Sequence, residues 1–420
     1  MNKRDFLKNT SLVSVGAMLG FPHLKDIFDS HHPQLSELNE NNEDFWQKIR
    51  SGYRLPNDFI NLENGYYCIQ PEEILQAHIK HLREVNLQGA KYLRTVQAEN
   101  KMKMVEQLSN VAGCQPTELI ITRNTTESLN TIINGFPWKQ GDEAIMATHD
   151  YGSMLDMFAQ NATRYGITNK MVSLPLHPIS DEQIVDIYEK AITSRTKLIM
   201  VSHIINITGQ ILPIKKICAM ARKKGVQVMV DGAHAFAHIQ FKISDLDCDY
   251  YGSSLHKWLS NPLGAGFLYI KKEHIPTIWP LFAEHDTPNN SVLRLNHTGT
   301  HPVHTDLTIG DSLHYYFTLG AERKENRLRF LKNYWVDKVK DLSNVTMNTP
   351  HSNERSCAIA NFKINSLAPT ETAKQLLEKH KIFTVAINNK GTEGCRITPN
   401  VYTSLQELDK LVEAIKQMSA

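Results

Sequence analysis

Closely spaced cysteines are lacking. The 420 residues include six cysteines, which are scattered singly without a Cys-x-x-Cys pair. Zinc sites and disulfide scaffolds depend on such spacing, so the pattern favours ordinary buried thiols. The six are Cys68, Cys114, Cys218, Cys248, Cys357 and Cys395.

The sequence also has no large excess of either charge and no long apolar run. The chain has 46 basic and 44 acidic residues, for a formal net charge of +2, which disfavours the basic surface that binds nucleic acid. No apolar stretch reaches the length of a membrane-spanning helix. With 41% hydrophobic residues the chain can bury a large core, so we expect a small-molecule partner and neither nucleic acid nor a membrane.

Residues 1–40 are predicted to form a signal-like leader and a linker. Residues 3–8 carry three basic side chains and lead into a modestly apolar stretch at residues 11–21. This stretch resembles a twin-arginine export signal with Lys3 in place of the first arginine, and it predicts export of the folded protein to the periplasm. The alternative is a disordered or helical extension on a cytoplasmic protein.

From about residue 71, short apolar runs alternate with amphipathic segments of helical period. The runs predict strands at residues 119–122, 143–147, 170–174, 197–202, 226–230, 250–254 and 266–270. The amphipathic segments predict helices at 71–87, 96–111, 126–135, 154–165, 182–192, 215–224, 307 to about 339, and 405–418. This alternation predicts an α/β protein whose mostly parallel sheet is covered by helices on both faces.

Polar side chains follow several of the predicted strands. Asn124, His149, Asn206 and Asp231 lie at or just past the strand ends. Ligands of parallel sheets bind at the carboxyl ends of the strands. We therefore expect the functional site at this edge of the sheet.

Three patterns near these ends could carry chemistry. Asn124 followed by Glu127 is a capping-box pattern, whose first-turn amides could hold a phosphate or simply cap a helix. Asp231 ends an apolar strand, where a carboxylate binds a metal, a ribose or a protonated ring nitrogen, or caps the next turn. Lys257 stands among apolar and aromatic neighbours. Lysines are usually solvated, but desolvation would lower the pKa of this one and make it a nucleophile.

The motifs around these residues resemble the class V aminotransferase family, which includes cysteine desulfurases and isopenicillin N epimerase-like proteins. The resemblance is carried by Asp-Gly-Ala-His at 231–234, by residues 247–257 ending in Ser-Ser-Leu-His-Lys, and by Gly-Ala-Gly-Phe-Leu-Tyr at 264–269. It runs from about Leu62 to the C-terminus. It implies pyridoxal phosphate (PLP) as cofactor and fold type I. The large domain, with a mostly parallel seven-stranded sheet, would span 65–305, and a smaller α+β domain would comprise 41–64 and 306–420.

The resemblance also implies a role for each matching residue. Lys257 would bind the cofactor as a Schiff base and carry the α-proton of the substrate, while Asp231 would keep the pyridine nitrogen protonated. Arg396 would bind the substrate carboxylate through two hydrogen bonds from its planar guanidinium group. The phosphate of the cofactor would be bound by Thr125, Thr126, Ser254 and His256. Tyr151 would stack on the ring, Asn206 would bond the phenolic oxygen, and His234 would lie nearby. Thr300 would reach the phosphate of the second subunit in a homodimer.

The resemblance leaves the reaction open. Tyr151 and the Asp-Gly-Ala-His form look closer to the isopenicillin N epimerase-like branch, which implies aminotransfer or epimerisation at the α-carbon of an amino acid. A cysteine desulfurase would need a nucleophilic cysteine on a mobile loop before Arg396, and residues 379–394 contain none. Desulfurase or carbon–sulfur lyase activity stays the alternative. A relative that has lost catalysis is disfavoured because Lys257, Asp231 and Arg396 are all present.

A histidine cluster offers an alternative of another class, a non-catalytic metal-binding protein. His297, His301 and His304 lie close together in the sequence, with Asp306 beside them, and imidazoles at such spacing can bind a transition metal. Because Thr300 fits the phosphate loop of the family, we predict that this segment is not a metal site.

Overall fold

The computed structural model describes residues 22–30, 39–389 and 391–420. The predicted export signal at residues 1–21, and residues 31–38 of the predicted linker, lie outside the described residues. None of the helices described combines the length and the apolar character needed to cross a bilayer.

Strands make up one central sheet, one smaller sheet and one short pair. In chain order they are β1 (Ile60–Asn61), β2 (Leu119–Thr122), β3 (Glu143–Ala147), β4 (Thr168–Val172), β5 (Thr196–Ser202), β6 (Gln227–Asp231), β7 (Tyr250–Ser254), β8 (Gly266–Ile270), β9 (Val345–Met347), β10 (Ala360–Ile364), β11 (Ile382–Phe383), β12 (Val385–Ile387) and β13 (Gly394–Ile397).

Helices flank these sheets and fill the segments between the strands. They are α1 (Pro22–Ser30), α2 (Glu43–Ser51), α3 (Glu72–Gln88), α4 (Ala90–Thr95), α5 (Gln97–Ala112), α6 (Thr125–Gly135), α7 (Gly152–Tyr165), α8 (Asp181–Ala191), α9 (Ile214–Lys223), α10 (Ile243–Leu246), α11 (Val303–Leu319), α12 (Ala321–Val339), α13 (Pro369–His380) and α14 (Leu405–Ser419). Short 3-10 turns occur at Pro116–Glu118, Lys272–Thr277 and Val292–Leu295.

The central sheet has seven strands in the order β2-β8-β7-β6-β5-β3-β4. Strands β7, β6, β5, β3 and β4 pair in parallel, while β8 runs antiparallel to both of its neighbours. The predicted fold type I architecture, with a mostly parallel seven-stranded sheet, is confirmed.

Both faces of this sheet are buried, which explains why its strands are continuous apolar runs. Along β5, Ile199 and Val201 belong to one hydrophobic cluster, whereas Leu198 and Met200 belong to another. Successive side chains of a strand point to opposite faces, so the two clusters lie on the two faces of the sheet. Helix α9 contributes to the first cluster and α6 to the second.

The register of the parallel strands gathers polar side chains at one edge of the sheet. Ser202 at the end of β5 lies opposite Asp231 at the end of β6, and Asp231 lies opposite Gly252 of β7. Ser254 ends β7 and leads into the turn that carries Lys257. The residues at the ends of β5, β6 and β7 therefore lie at the edge of the sheet where the sequence predicts the site.

A smaller antiparallel sheet of order β12-β13-β10-β9 lies in the C-terminal part. Its core includes Leu62, Trp335, Phe362 and Leu411, and the rings of Trp335 and Phe362 meet edge to face with centroids 5.8 Å apart. Helix α12 packs against α14, whereas α11 packs against α3 and α5. The predicted domain limits, 65–305 against 41–64 with 306–420, stay a prediction.

The predicted long helical stretch from residue 307 to about 339 is present, but it is interrupted. The segment forms two helices, α11 and α12, which meet at Gly320. Gly320 has a φ of +93°, a backbone conformation that L side chains rarely adopt and that ends a helix. The remaining predicted helices and strands are present, with bounds shifted by about two residues at most, as is usual for element ends.

Gly209, in the loop after β5, provides a test of how the central sheet packs against the C-terminal part. It has a φ of +74°, and a Cβ there would overlap the carbonyl oxygen of Ile359. We expect Gly209→Ala to destabilise the protein by about 2–5 kcal/mol, from left-handed strain and overpacking. Gly225 has a similar φ of +70° but open space, so Gly225→Ala should cost only about 1–2 kcal/mol. Equal shifts of the two variants in urea unfolding would contradict this packing.

Candidate active site

Lys257 follows β7 in a tight turn that places its amine against buried groups. Burial lowers the pKa of Lys257 to about 8, and the nearby charge of Asp231 partly opposes this shift. An ordinary lysine titrates near 10.4. The environment therefore makes a much larger fraction of neutral amine available near neutral pH, which is the form that attacks a carbonyl.

The hydrogen bonds around His234 favour the same neutral amine. Burial lowers the pKa of His234 well below its usual value, so the imidazole is neutral and carries one N–H. The indole N–H of Trp258 donates to Nδ1 of His234 over 3.4 Å, which leaves the imidazole proton on Nε2. Nε2 lies 3.0 Å from Nζ of Lys257. His234 then donates to Lys257, and only an unprotonated amine can accept that bond.

Asp231 places a carboxylate at the end of β6, next to the Lys257 turn. It is 6% exposed, and the backbone N–H of Ala233 donates to Oδ1 over 3.0 Å. Burial raises the pKa of Asp231, while the Ala233 bond and the charge of Lys257 lower it. The two predicted catalytic residues thus lie within electrostatic range of each other, on the same edge of the sheet.

Asp150 is a second buried carboxylate at this edge, and the sequence analysis gave it no role. Its oxygens accept from the N–H of Ala147 at 2.7 Å and from the hydroxyl of Ser202 at 2.8 Å. Burial raises the pKa of Asp150 to about 7, and the charge of Asp231 adds to the rise. Its position after strand β3, next to Tyr151, was the signal available in the sequence.

Thr125, Thr126 and Ser254 form the predicted phosphate site at the first turn of α6. The N–H of Thr125 donates to Oγ of Ser254 over 2.9 Å, and their hydroxyl oxygens are 2.7 Å apart. Thr126 follows in the same turn. A helix N-terminus with two hydroxyl groups suits an anion, because its amides point outward and the helix dipole favours negative charge.

The capping-box prediction for α6 is only half right. The side chain of Asn124 accepts from the N–H of Glu127 over 2.9 Å, as predicted. The carboxylate of Glu127 does not return to Asn124 but accepts from the backbone N–H of Arg123 at 2.6 Å and pairs with its guanidinium. The guanidinium of Arg123 competes with the backbone N–H of Asn124 for the carboxylate of Glu127, because a charged donor forms the stronger hydrogen bond.

Two buried imidazoles near these groups have a ring nitrogen without a partner among the described residues. These atoms are Nδ1 of His149 and Nδ1 of His256. Burial lowers the pKa of His256 to about 4. Buried polar atoms normally have a partner. A bound polar group such as PLP would supply one, so the residues present fit the predicted cofactor.

Arg396 lies in β13, and the structure brings it to Asn206 and to a residue that the sequence analysis missed. Nη1 donates to the carbonyl oxygen of Asn206 over 3.0 Å. Nε and Nη2 pair with the carboxylate of Glu63, the Nε bond measuring 3.3 Å. Arg396 also contributes to the electrostatics of Lys257, so the predicted substrate clamp belongs to the same site.

Tyr151 and Thr300 are placed at the surface. Tyr151 lies just before α7 and is 42% exposed, so its ring is free to cover a ligand at the strand ends. Thr300 is exposed in the loop before α11.

The histidine cluster gives no support to the metal-binding alternative. His301 pairs with Asp306 at 2.9 Å, the ring of His304 packs against His78, and His297 is exposed. In the part of the chain that the structure describes, three side chains able to ligate one ion come together at Asp249, Glu273 and His274 instead.

A half-buried lysine and a buried aspartate at the strand ends of a seven-stranded α/β sheet fit a PLP enzyme of fold type I. The chain belongs to the class V aminotransferase family, whose model matches residues 68–409. The predicted family and the predicted PLP dependence are confirmed.

Individual relatives differ in their reactions. The chain is 26% identical to isopenicillin N epimerase of Streptomyces clavuligerus over 391 residues, which cover 89% of this chain and 98% of the relative. It is 25% identical to a probable cysteine desulfurase of Halalkalibacterium halodurans over 333 residues, covering 76% and 80%. The apo structure of cysteine desulfurase from Thermococcus onnurineus NA1 superposes with a TM-score of 0.79 at 21% identity, covering 90% of this chain and 98% of that one.

The lowered pKa of Lys257 predicts how cofactor capture depends on pH. Because the neutral amine reacts, the rate constant for PLP binding to apoprotein should rise about tenfold per pH unit below pH 8 and level off above it. Stopped-flow absorbance measures this rate, and Nα-acetyllysine is the control, with a rise that continues to about pH 10. A protein profile that also rises to pH 10 would contradict a desolvated amine.

Proposed function

We propose that this enzyme removes and returns the α-proton of an amino acid, in aminotransfer or epimerisation. The observation that carries the proposal is the contact of Lys257 with His234 in the field of Asp231. This arrangement provides an amine whose pKa is lowered to about 8, so that a substantial fraction of it is unprotonated near physiological pH, and it holds this amine where the cofactor ring is expected. Such an amine serves first as a nucleophile and then as a general base.

Each residue then has a task that follows from its surroundings. When bound, PLP supplies an electron sink for negative charge at the α-carbon. Lys257 takes the α-proton and returns it, and His234 holds the amine in place. Asp231, whose pKa is raised by burial and partly lowered again by the Ala233 bond and by Lys257, would pair with the ring nitrogen. Arg396 binds the substrate carboxylate.

The remaining predicted contacts secure the cofactor. Thr125, Thr126 and Ser254 donate to the phosphate from the first turn of α6, with His256 beside them. Tyr151 covers the ring, and Asn206 bonds the phenolic oxygen. Thr125, Thr126, Ser254 and Asn206 have no ionisable side chain, and burial lowers the pKa of His256 to about 4, which keeps its imidazole neutral. These groups therefore fix the position of the cofactor without competing for the α-proton.

Carbon–sulfur bond cleavage is the second candidate, and the desulfurase relatives favour it. Sulfur transfer needs a thiolate, and Cys68 lies close enough to Lys257 to affect its pKa. Burial raises the pKa of the Cys68 thiol to about 12, and its Sγ donates to the carbonyl of Asn64. Cys395 is also buried, with a pKa raised to about 12. Both thiols are held in the unreactive form, which disfavours sulfur transfer to the protein. A carbon–sulfur lyase needs no protein thiol, and its products separate it from the first candidate.

We further propose a homodimer with shared sites. Thr300 is exposed in a loop that resembles the one reaching a neighbouring phosphate, and Tyr66 and Leu263, which flank Gly65 and the Lys257 turn, are 75% and 62% exposed. Large apolar side chains around a site are typical of surfaces covered by a partner. Light scattering should give the mass of two chains, and the mass of one chain would contradict the dimer.

Export through a twin-arginine-like signal is proposed from the sequence of residues 1–21. In a bacterial host we expect the full chain in the periplasmic fraction, and the double variant Lys3→Gln with Arg4→Gln in the cytoplasm, because the paired basic residues are what the export route reads. An unchanged distribution between the fractions would contradict the proposal.

Lys257→Ala tests the proposed function. The purified enzyme should absorb as a protein-bound Schiff base, and the variant should lose this band and lose exchange of the α-proton of amino acids in deuterated water, by at least about a hundredfold. Absorbance and NMR measure the two effects.

Lys332→Met is the matched control. Lys332 is also buried, with a pKa lowered to about 8, but it donates to the carbonyl of His351 and to Ser356 in the C-terminal part. Its replacement should leave the absorbance band. If the unmodified enzyme neither aminotransfers nor epimerises any amino acid but releases sulfide from cysteine, the second candidate replaces the first.

A further inference from the structure

The carboxylate of Glu63 is held rigidly beside the predicted substrate clamp. Glu63 lies in a short parallel bridge with Thr398, just past the strand that carries Arg396. The N–H of Thr398 donates to the carbonyl of Leu62 over 2.8 Å, and the N–H of Asn64 donates to Oγ1 of Thr398 over 2.6 Å. The backbone on both sides of Glu63 is therefore fixed to the end of β13.

Glu63 and Arg396 form a buried ion pair. Their side chains are 6% and 8% exposed, and the carboxylate takes both Nε and Nη2 of the guanidinium. Nη1 donates to the carbonyl of Asn206. All three nitrogens of Arg396 are thus engaged, and its charge is balanced within the chain.

Gly65 closes one face of the same guanidinium. A Cβ at this position would lie 2.8 Å from Cζ and 2.8 Å from Nη2 of Arg396. The backbone at Gly65 therefore packs directly on the plane of the guanidinium and limits the directions from which another carboxylate can approach. A guanidinium can bind a carboxylate with two parallel hydrogen bonds at either of two edges. Glu63 already holds the Nε–Nη2 edge, and Nη1 of the other edge donates to Asn206.

We infer that Glu63 is a specificity-determining residue, an internal competitor that a substrate carboxylate must displace from Arg396. The inference rests on the proposed function, in which Arg396 binds an amino acid. A second carboxylate entering beside Glu63 would meet a like charge in a buried site, where such repulsion is strong. Binding of an α-amino acid is therefore weakened by the displacement, whereas an amine without a carboxylate binds with the pair intact.

The test compares two probes that differ by one carboxylate. 2-Methylalanine carries an amine and a carboxylate but no α-proton to lose, and isopropylamine lacks the carboxylate. Titration of the cofactor absorbance gives a dissociation constant for each with the holoenzyme. We expect Glu63→Gln, which keeps the shape and removes the charge, to bind 2-methylalanine about tenfold more tightly or better, with little change for isopropylamine.

Two further variants test whether Glu63 acts through its charge and through Arg396. In Arg396→Gln the gain from Glu63→Gln should vanish, because the competition is for Arg396. Glu63→Asp retains the charge on a shorter side chain and should bind 2-methylalanine as weakly as the unmodified enzyme or gain less than Glu63→Gln. Retention of the cofactor band shows that each variant is folded.

The outcomes separate this inference from the proposed function. Weaker or unchanged binding of 2-methylalanine by Glu63→Gln, with a normal isopropylamine response, would show that Glu63 only positions Arg396 and would overturn the inference alone. If the unmodified enzyme has no cofactor band and responds to neither probe, the proposed function and the inference fail together.

Discussion

The site depends on one lysine that gives up its proton more easily than an ordinary lysine. A buried ammonium is costly unless it is paired or gives up its proton. Lys324 and Lys332 are paired: both are desolvated, with pKa values lowered to about 8, and their amines donate hydrogen bonds to carbonyl oxygens. Lys257 instead meets an imidazole that can donate to it. All three lysines have a similarly lowered pKa, so the hydrogen-bond partner of the amine, more than its burial, distinguishes the reactive lysine from the structural ones.

The sheet makes this arrangement possible, because it brings distant segments to one edge. Thr125 begins a helix after β2, Asp231 ends β6, and Lys257 follows β7. Parallel pairing places the carboxyl ends of β5, β6 and β7 side by side. The antiparallel strand β8 then pairs with β2 and β7, which sets the phosphate-binding turn of α6 next to Ser254.

Much of this could be predicted from local sequence pattern. Strands buried on both faces are continuous apolar runs, so β2, β3, β7 and β8 could be predicted with their observed bounds. Lys257 and Asp231 could be found because each lies inside a distinctive motif. The break at Gly320 was missed because the apolar period continues through it, and only its backbone angle reveals that two helices meet there.

Glu63 could not be found in this way, because its role depends on a partner 333 positions away. Nothing in the residues around Glu63 indicates that a parallel bridge to Thr398 will carry it to Arg396. Asp150 was missed for a related reason: its significance comes from burial beside Asp231 and Ser202, which belong to two other strands. Pairings between distant segments are set by the fold as a whole.

The charge of Arg396 is balanced by Glu63 before any amino acid enters. Lys257 lies in the field of Asp231. The predicted phosphate ligands Thr125, Thr126 and Ser254 are neutral donors, so they hold an anion without adding a countercharge that the substrate could use. An amino acid brings one amine and one carboxylate, and the protein already holds one of each in the corresponding places. On the proposed function, substrate binding would be an exchange, in which the incoming amine takes the place of Lys257 and the incoming carboxylate takes the place of Glu63. Discrimination would then depend on how well the two displaced side chains are accommodated.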